Sequence, residues 1–218
     1  MAGPGTMCGK RASPLAAILA GAALALGAAN ASAGSGPFGI DHRIAYDDSG
    51  IWARHDQQAL EIGVIGFELG GALWLGADDR FGRTLWQSID ASAAGGIASQ
   101  VAKFAFGRER PSQTDDPNQW FKGRCCQSFP SGEVTLQASF VTPIIANYHA
   151  DHPWVWALEA LPLYDGIARM KTHSHWQSDV LAGWALGTAV GYYATTRDEP
   201  FFVSILPKGI TAGIHTTF

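Results

Sequence analysis

From residue 59 to residue 196 apolar positions recur at helical spacing, and short polar or glycine-bearing stretches divide the pattern into five segments. They run from Ala59 to Gly76, Thr84 to Phe106, Glu133 to Tyr148, Trp154 to Ala168 and Trp176 to Ala194. Five helices joined by short connections predict an all-α helical bundle. Small residues are placed within it. Gly183, Gly187 and Gly191 recur every fourth position, and Ser92, Gly96 and Ser99 form a similar stripe, so that two helix backbones can approach closely there. After the bundle, Phe201 to Leu206 and Ile210 to Phe218 alternate weakly around Pro207-Lys208-Gly209, which predicts a small C-terminal β-hairpin.

The beginning of the chain has a different pattern. Lys10 and Arg11 precede an uncharged run from Pro14 to Ala29, and Ala31-Ser32-Ala33 supplies small residues suited to cleavage. This order reads as a secretory signal peptide over residues 1–33, with a mature chain in the periplasm or cell envelope; the alternative is a membrane-integrated protein. Residues 34–58 are mixed, with Asp47, Asp48 and Gly50, and read as an irregular leader. The helical domain then covers 59–196 and a C-terminal extension 197–218. Beyond the leader region the longest uncharged runs, 134–150 and 180–196, are short for a bilayer span, and Glu68 interrupts 59–76. Buried helices explain them more simply.

Composition narrows the function. With 47% hydrophobic and 16% charged residues the chain is neither disordered nor collagenous. Its net charge of −4, more negative still once Lys10 and Arg11 are set aside, speaks against a nucleic-acid partner. Adjacent Cys125 and Cys126 offer no conventional disulfide framework.

Three segments near helix ends collect polar residues that an apolar bundle should avoid. In the first, Lys103 is followed after six residues by Arg110-Pro111, which places two cations around one helix terminus. In the second, Ser128-Phe129-Pro130-Ser131-Gly132-Glu133 precedes an apolar helix; Ser131 is a natural N-cap, and Gly132 opens the backbone amides to an anion. The third runs Arg169, five residues, His175, three residues, Asp179. His175 and Asp179 are one helical turn apart, so the carboxylate can brace one imidazole nitrogen and leave the other free.

In this order the segments resemble the motifs Lys-x6-Arg-Pro, Pro-Ser-Gly-His and Arg-x5-His-x3-Asp of the type-2 phosphatidic acid phosphatase superfamily. That superfamily includes bacterial acid phosphatases, lipid phosphatases and vanadium haloperoxidases. The likeness covers roughly residues 85–195, with Ala168 where a Ser often precedes the third motif and Glu133 where the second motif has His. The resemblance implies that Lys103, Arg110, Ser131, Gly132 and Arg169 bind phosphate oxygens. It further implies that His175 is the nucleophile, that Asp179 orients it, and that Glu133 occupies the place of the acid. It implies no cofactor. A phosphohistidine-forming phosphatase acting on a phosphomonoester or diphosphate, small or lipid-linked, is expected; the alternative is a non-catalytic phosphate- or phospholipid-binding protein on the same fold.

Other candidates weigh less. His173 and His175 are two apart and do not share a helix face, so no metal site is expected. Asp78-Asp79 and Asp115-Asp116 read as solvated loop charges. His149 and His152, after the second-motif helix, are candidates for the missing acid, and Trp176 for a pocket wall or lipid contact.

Overall fold

A computed structural model describes residues 35–123, 127–197, 203–206 and 209–212. The signal-like segment, Cys125, Cys126 and the turn at 207–208 lie outside them. Among the described residues the chain forms five α-helices: α1 (Arg54–Leu75), α2 (Arg80–Phe106), α3 (Gly132–Tyr148), α4 (Ala160–Lys171) and α5 (Gln177–Thr195). A hairpin of β1 (Val203–Leu206) and β2 (Gly209–Ala212) follows, antiparallel with Ser204 opposite Thr211. The fold is all-α, as its apolar spacing predicts.

Several boundaries differ from the periodicity, α2 among them, which starts at Arg80 and not Thr84. Helix α1 begins at Arg54, five residues early, because Asp48 accepts the Arg54 N–H at 2.8 Å and Asp56 lies in the first turn, favourable at a helix N-terminus. The segment expected from Trp154 to Ala168 divides into a 3-10 stretch, Pro153–Glu159, and α4. Asp79 is a helix cap, accepting from the N–H groups of Phe81 and Gly82 and so starting α2. Asp115 pairs with Arg43.

Helix α3 is the central one. It buries Val134, Ala138, Phe140, Val141, Ile144 and Ile145, and packs against α2 and α5. Glycine permits the approach of α5: a Cβ on Gly187 would lie 2.4 Å from the Thr135 carbonyl oxygen, and one on Gly183 2.4 Å from that of Ser131. The stripe on α2 is set differently from its sequence reading. Gly95, not Gly96, meets α3, where its Cβ would fall 2.7 Å from Ser139 Oγ. Ser99 lies on the same side, near Gly132. Ser92 turns instead to Glu68 on α1, donating at 3.0 Å.

That last contact overturns the reading of α1. Glu68 is 3% exposed, so its carboxyl faces inward and does not interrupt the outer face. There Ile62, Leu73 and Trp74 are 70%, 61% and 90% exposed. Helix α1 is long and apolar enough to cross a membrane by length and composition, with 17% of its most apolar window buried. On α2, Ile97, Val101 and Phe104 are also exposed. The uncharged run at 134–150 is instead the buried α3.

Candidate active site

Three loops meet where α2 ends and α3 and α5 begin. Gly107 closes α2 in the left-handed region, at φ 46°, and its N–H bonds to the Lys103 carbonyl. The chain then continues without regular secondary structure through Arg108, Glu109 and Arg110. Backbone bonds join the three loops to one another: Ser128 N donates to Arg108 O at 2.9 Å, Ser131 N to Asp179 O at 2.9 Å, and Ser112 N to His173 O at 3.0 Å. Residues far apart in sequence are thereby fixed side by side.

Into this junction project the cations. Lys103 Nζ donates to the carbonyls of Gln127 and Pro130 at 2.9 and 2.8 Å, and Arg110 Nη2 to that of Gln127 at 3.4 Å. Burial, and next the Arg110 charge, push the Lys103 ammonium down to about 8. Arg169, 5% exposed, donates from Nη1 to Gln57 Oε1 at 3.3 Å, while its Nε has no hydrogen-bond partner. Ser131 is the N-cap residue of α3, yet its buried hydroxyl makes no capping bond and has no partner. Beside it, a Cβ on Gly132 would lie 3.5 Å from Lys103 Cε. A desolvated, cationic recess lined by a hydroxyl and a guanidinium N–H that make no hydrogen bond suits an oxyanion.

His175 is 3% exposed. Burial first, then the charges of Lys103, Arg169 and Arg110, holds its imidazole well below the ordinary range, so it is neutral near pH 7. Asp179 lies on its face, but Nδ1 stands 3.7 Å from Asp179 Oδ2 and has no hydrogen-bond partner. The carboxylate is engaged elsewhere. Oδ2 accepts from Ser128 Oγ at 2.5 Å and from Trp176 N at 2.9 Å, and Oδ1 from Arg108 Nη1 at 2.5 Å. The Trp176 bond caps the start of α5.

Glu133 is held by a residue outside the three motifs. Arg54 grips its carboxylate from α1 with two bonds of 2.7 and 2.8 Å, and Arg169 Nε stands 3.6 Å from Oε2. Burial pushes the Glu133 carboxyl up, but the Arg54 bonds, with the Arg169 and Arg54 charges, outweigh it and leave the group below its ordinary value. It is therefore a carboxylate at neutral pH and donates no proton there.

Arg108, also outside the motif positions, is fully buried and bridges Asp179 to Asp41 of the leader, at 2.6 Å from the latter. It also donates to Ser178 Oγ and to the Pro117 carbonyl, and stacks 4.3 Å from the Trp120 ring centre. Asp41 in turn accepts from Ser178 N and Oγ at 2.8 and 2.7 Å, capping α5 from the leader. An arginine two residues before the motif Arg was the visible signal for Arg108; nothing local marked Asp41.

Of the other candidates, the two histidines after α3 lie away from the junction. His149 lies sixteen residues beyond Glu133 along α3, about 24 Å at ~1.5 Å per residue, and its Nδ1 contacts the Ile145 carbonyl. His152 is exposed and stacks on Tyr148. Neither reaches the position of the missing acid. The His173 ring contacts the Ile44 carbonyl at 2.8 Å. Trp176 is 1% exposed and donates to the Glu109 carbonyl, so it meets no lipid chain.

Residues 84–200 match the model of a family described as the PAP2 superfamily. Over 117 residues, 53% of this chain, the sequence is 30% identical to a lipid A 1-phosphatase of Porphyromonas gingivalis, and the match spans 24% of that protein's length. A crystal structure of Aquifex aeolicus LpxE aligns over 64% of this chain and 87% of that one, with 20% identity and a TM-score of 0.42.

Proposed function

The chain belongs to the PAP2 superfamily, and from that premise we propose that it is a phosphoric ester or diphosphate hydrolase acting on a lipid-linked phosphate in the cell envelope. The observation that carries the reading is His175, neutral and buried, with Lys103, Arg110 and Arg169 near enough to depress its basicity. Phosphoryl transfer asks for positive charge around the equatorial oxygens and a nucleophile in line with the leaving group. In the proposed reaction Lys103, Arg110, Arg169, the Ser131 hydroxyl and the Gly132 amide bind those oxygens. Nδ1 of His175, on the Asp179 side, keeps its proton, and Nε2 attacks phosphorus. The bond to the leaving oxygen breaks with its electron pair, and water then hydrolyses the phosphohistidine.

The relative's name supports the lipid-linked class, as do the exposed apolar faces of α1 and α2. Residues 1–33 are proposed to direct export, 34–53 to be the leader, 54–196 the catalytic domain, which the structure starts five residues before the apolar spacing does, and 197–218 an extension. Because Glu133 is ionised, the reaction favours leaving groups that need little protonation, diphosphates and aryl phosphates over alkyl monoesters. The test is phosphate release from soluble and lipid phosphates across pH, with His175→Ala as control and an acid quench to trap the phosphohistidine. Turnover surviving in His175→Ala overturns the mechanism. A second reading, phosphate binding without turnover, is favoured by the absence of a proton donor at Glu133; binding with no release from any substrate selects it.

A further inference from the structure

Arg54 belongs to none of the three motifs, yet it makes the closest contacts to the one residue that departs from them. Its two bonds to Glu133, 2.7 and 2.8 Å, are shorter than the 3.6 Å that separates the same carboxylate from Arg169 Nε. That 3.6 Å gap lies outside hydrogen-bonding distance, and Nε of Arg169 has no other hydrogen-bond partner. Gln57, 1% exposed, fixes the arrangement: its Oε1 accepts from both Arg54 Nη1 and Arg169 Nη1 at 3.3 Å, and its Nε2 is anchored to the Trp52 carbonyl at 2.8 Å. A carboxylate in this position without Arg54 would close onto Arg169 and take the N–H that an oxyanion needs. It would also put a negative charge against a dianion.

We propose that Arg54 is a positioning residue for Glu133: it draws the carboxylate away from Arg169, keeps that guanidinium open to phosphate, and fixes the site's preference for leaving groups that depart unprotonated. This rests on the reading of the recess as a phosphate site. The titratable and charged groups around Glu133 are Arg54 and Glu61 on α1, Lys103 on α2, Arg110 in the loop after it, Asp165 and Arg169 on α4, and His175 before α5. Of these, Arg54 alone holds Glu133 through two hydrogen bonds; the two acids oppose its ionisation.

Two measurements on the full chain test the proposal. The first needs no turnover. With ¹³C-carboxyl-labelled Glu, the Glu133 resonance is identified by its loss in Glu133→Gln and titrated in the parent, Arg54→Ala and Arg54→Lys. Its midpoint rises by about one pH unit or more in Arg54→Ala and by less in Arg54→Lys, which keeps the charge but not the fork. An unchanged midpoint in Arg54→Ala overturns the proposal whether or not the protein hydrolyses anything. The second is inorganic phosphate or vanadate binding at pH 7. Arg54→Ala weakens it roughly tenfold or more, the scale of a charge-assisted hydrogen bond, and adding Glu133→Gln restores it. If the double variant binds as weakly as Arg54→Ala, Arg54 contacts the anion itself and the proposal is wrong. If the parent binds neither anion, the phosphate reading fails, and the Glu133 titration still decides the role of Arg54. Where Arg54→Ala does not fold, Arg54→Lys carries both measurements.

Discussion

Lys103 keeps its charge only up to about pH 8 in the unliganded recess, because burial and next Arg110 disfavour the ammonium. Phosphate or vanadate affinity should therefore fall as pH rises through about 8, a trend that calorimetry follows directly and that Lys103→Ala should abolish. Asp165 works in the opposite sense. It is 2% exposed, and burial first, then Glu133 and Glu61, raise its carboxyl from 3.8 to about 7. Between these two values the folded chain holds a proton that the unfolded chain has released, so stability falls as pH climbs across that window and stays lowered above it. Asp165→Asn should thus raise the unfolding free energy by roughly 2–4 kcal/mol at pH 8 and by little near pH 4; equal gains in denaturant melts at both would refute this. Residue types and spacing made Lys103, Arg110, Arg169 and His175 legible in the sequence, since cations and a histidine at apolar helix ends are conspicuous. The binding of Glu133 by Arg54 was not, because it joins residues 79 apart and no local pattern encodes such a pairing.

At the level of the helices, periodicity located all five, and the glycine repeat of α5 pointed to the face that α3 occupies. What periodicity could not supply was direction. One helical step separates Gly95 from Gly96, and the apolar pattern around them is too uniform to choose which one meets α3. Likewise Glu68 looked like a break in an apolar helix, whereas Ser92 lets it turn inward and leaves the opposite face apolar. The glycines also separate by consequence. Gly187→Ala should cost about 1–3 kcal/mol, since the added carbon meets a backbone carbonyl that cannot give way. Gly63→Ala on α1, with nothing within 4 Å, should stabilise by roughly 0.5–1 kcal/mol. Urea melts of the two, read against the parent, compare a packed helix face with an open one.

For the whole molecule, the exposed apolar faces of α1 and α2 bear on where the chemistry takes place. If they rest on a bilayer, Ile62→Glu combined with Leu73→Glu should abolish co-flotation with phospholipid vesicles and depress release from a lipid phosphate, while hydrolysis of a soluble aryl phosphate continues. Unchanged flotation would show that these faces do not hold the protein to lipid. The leader bears on a different question, which part of the chain can stand alone. Asp41 lies 67 residues from Arg108 and 137 from Ser178, yet it neutralises the one and caps the helix at the other. Dissecting the gene at the edges of the matched region, 84–200, would therefore strand a guanidinium in the interior with half its counter-charge removed. A buried ion that loses a partner costs about 3–5 kcal/mol, a large share of what holds a domain of this size together. An excised catalytic core should aggregate when expressed, and supplying residues 35–53 as a separate peptide should recover part of the soluble yield.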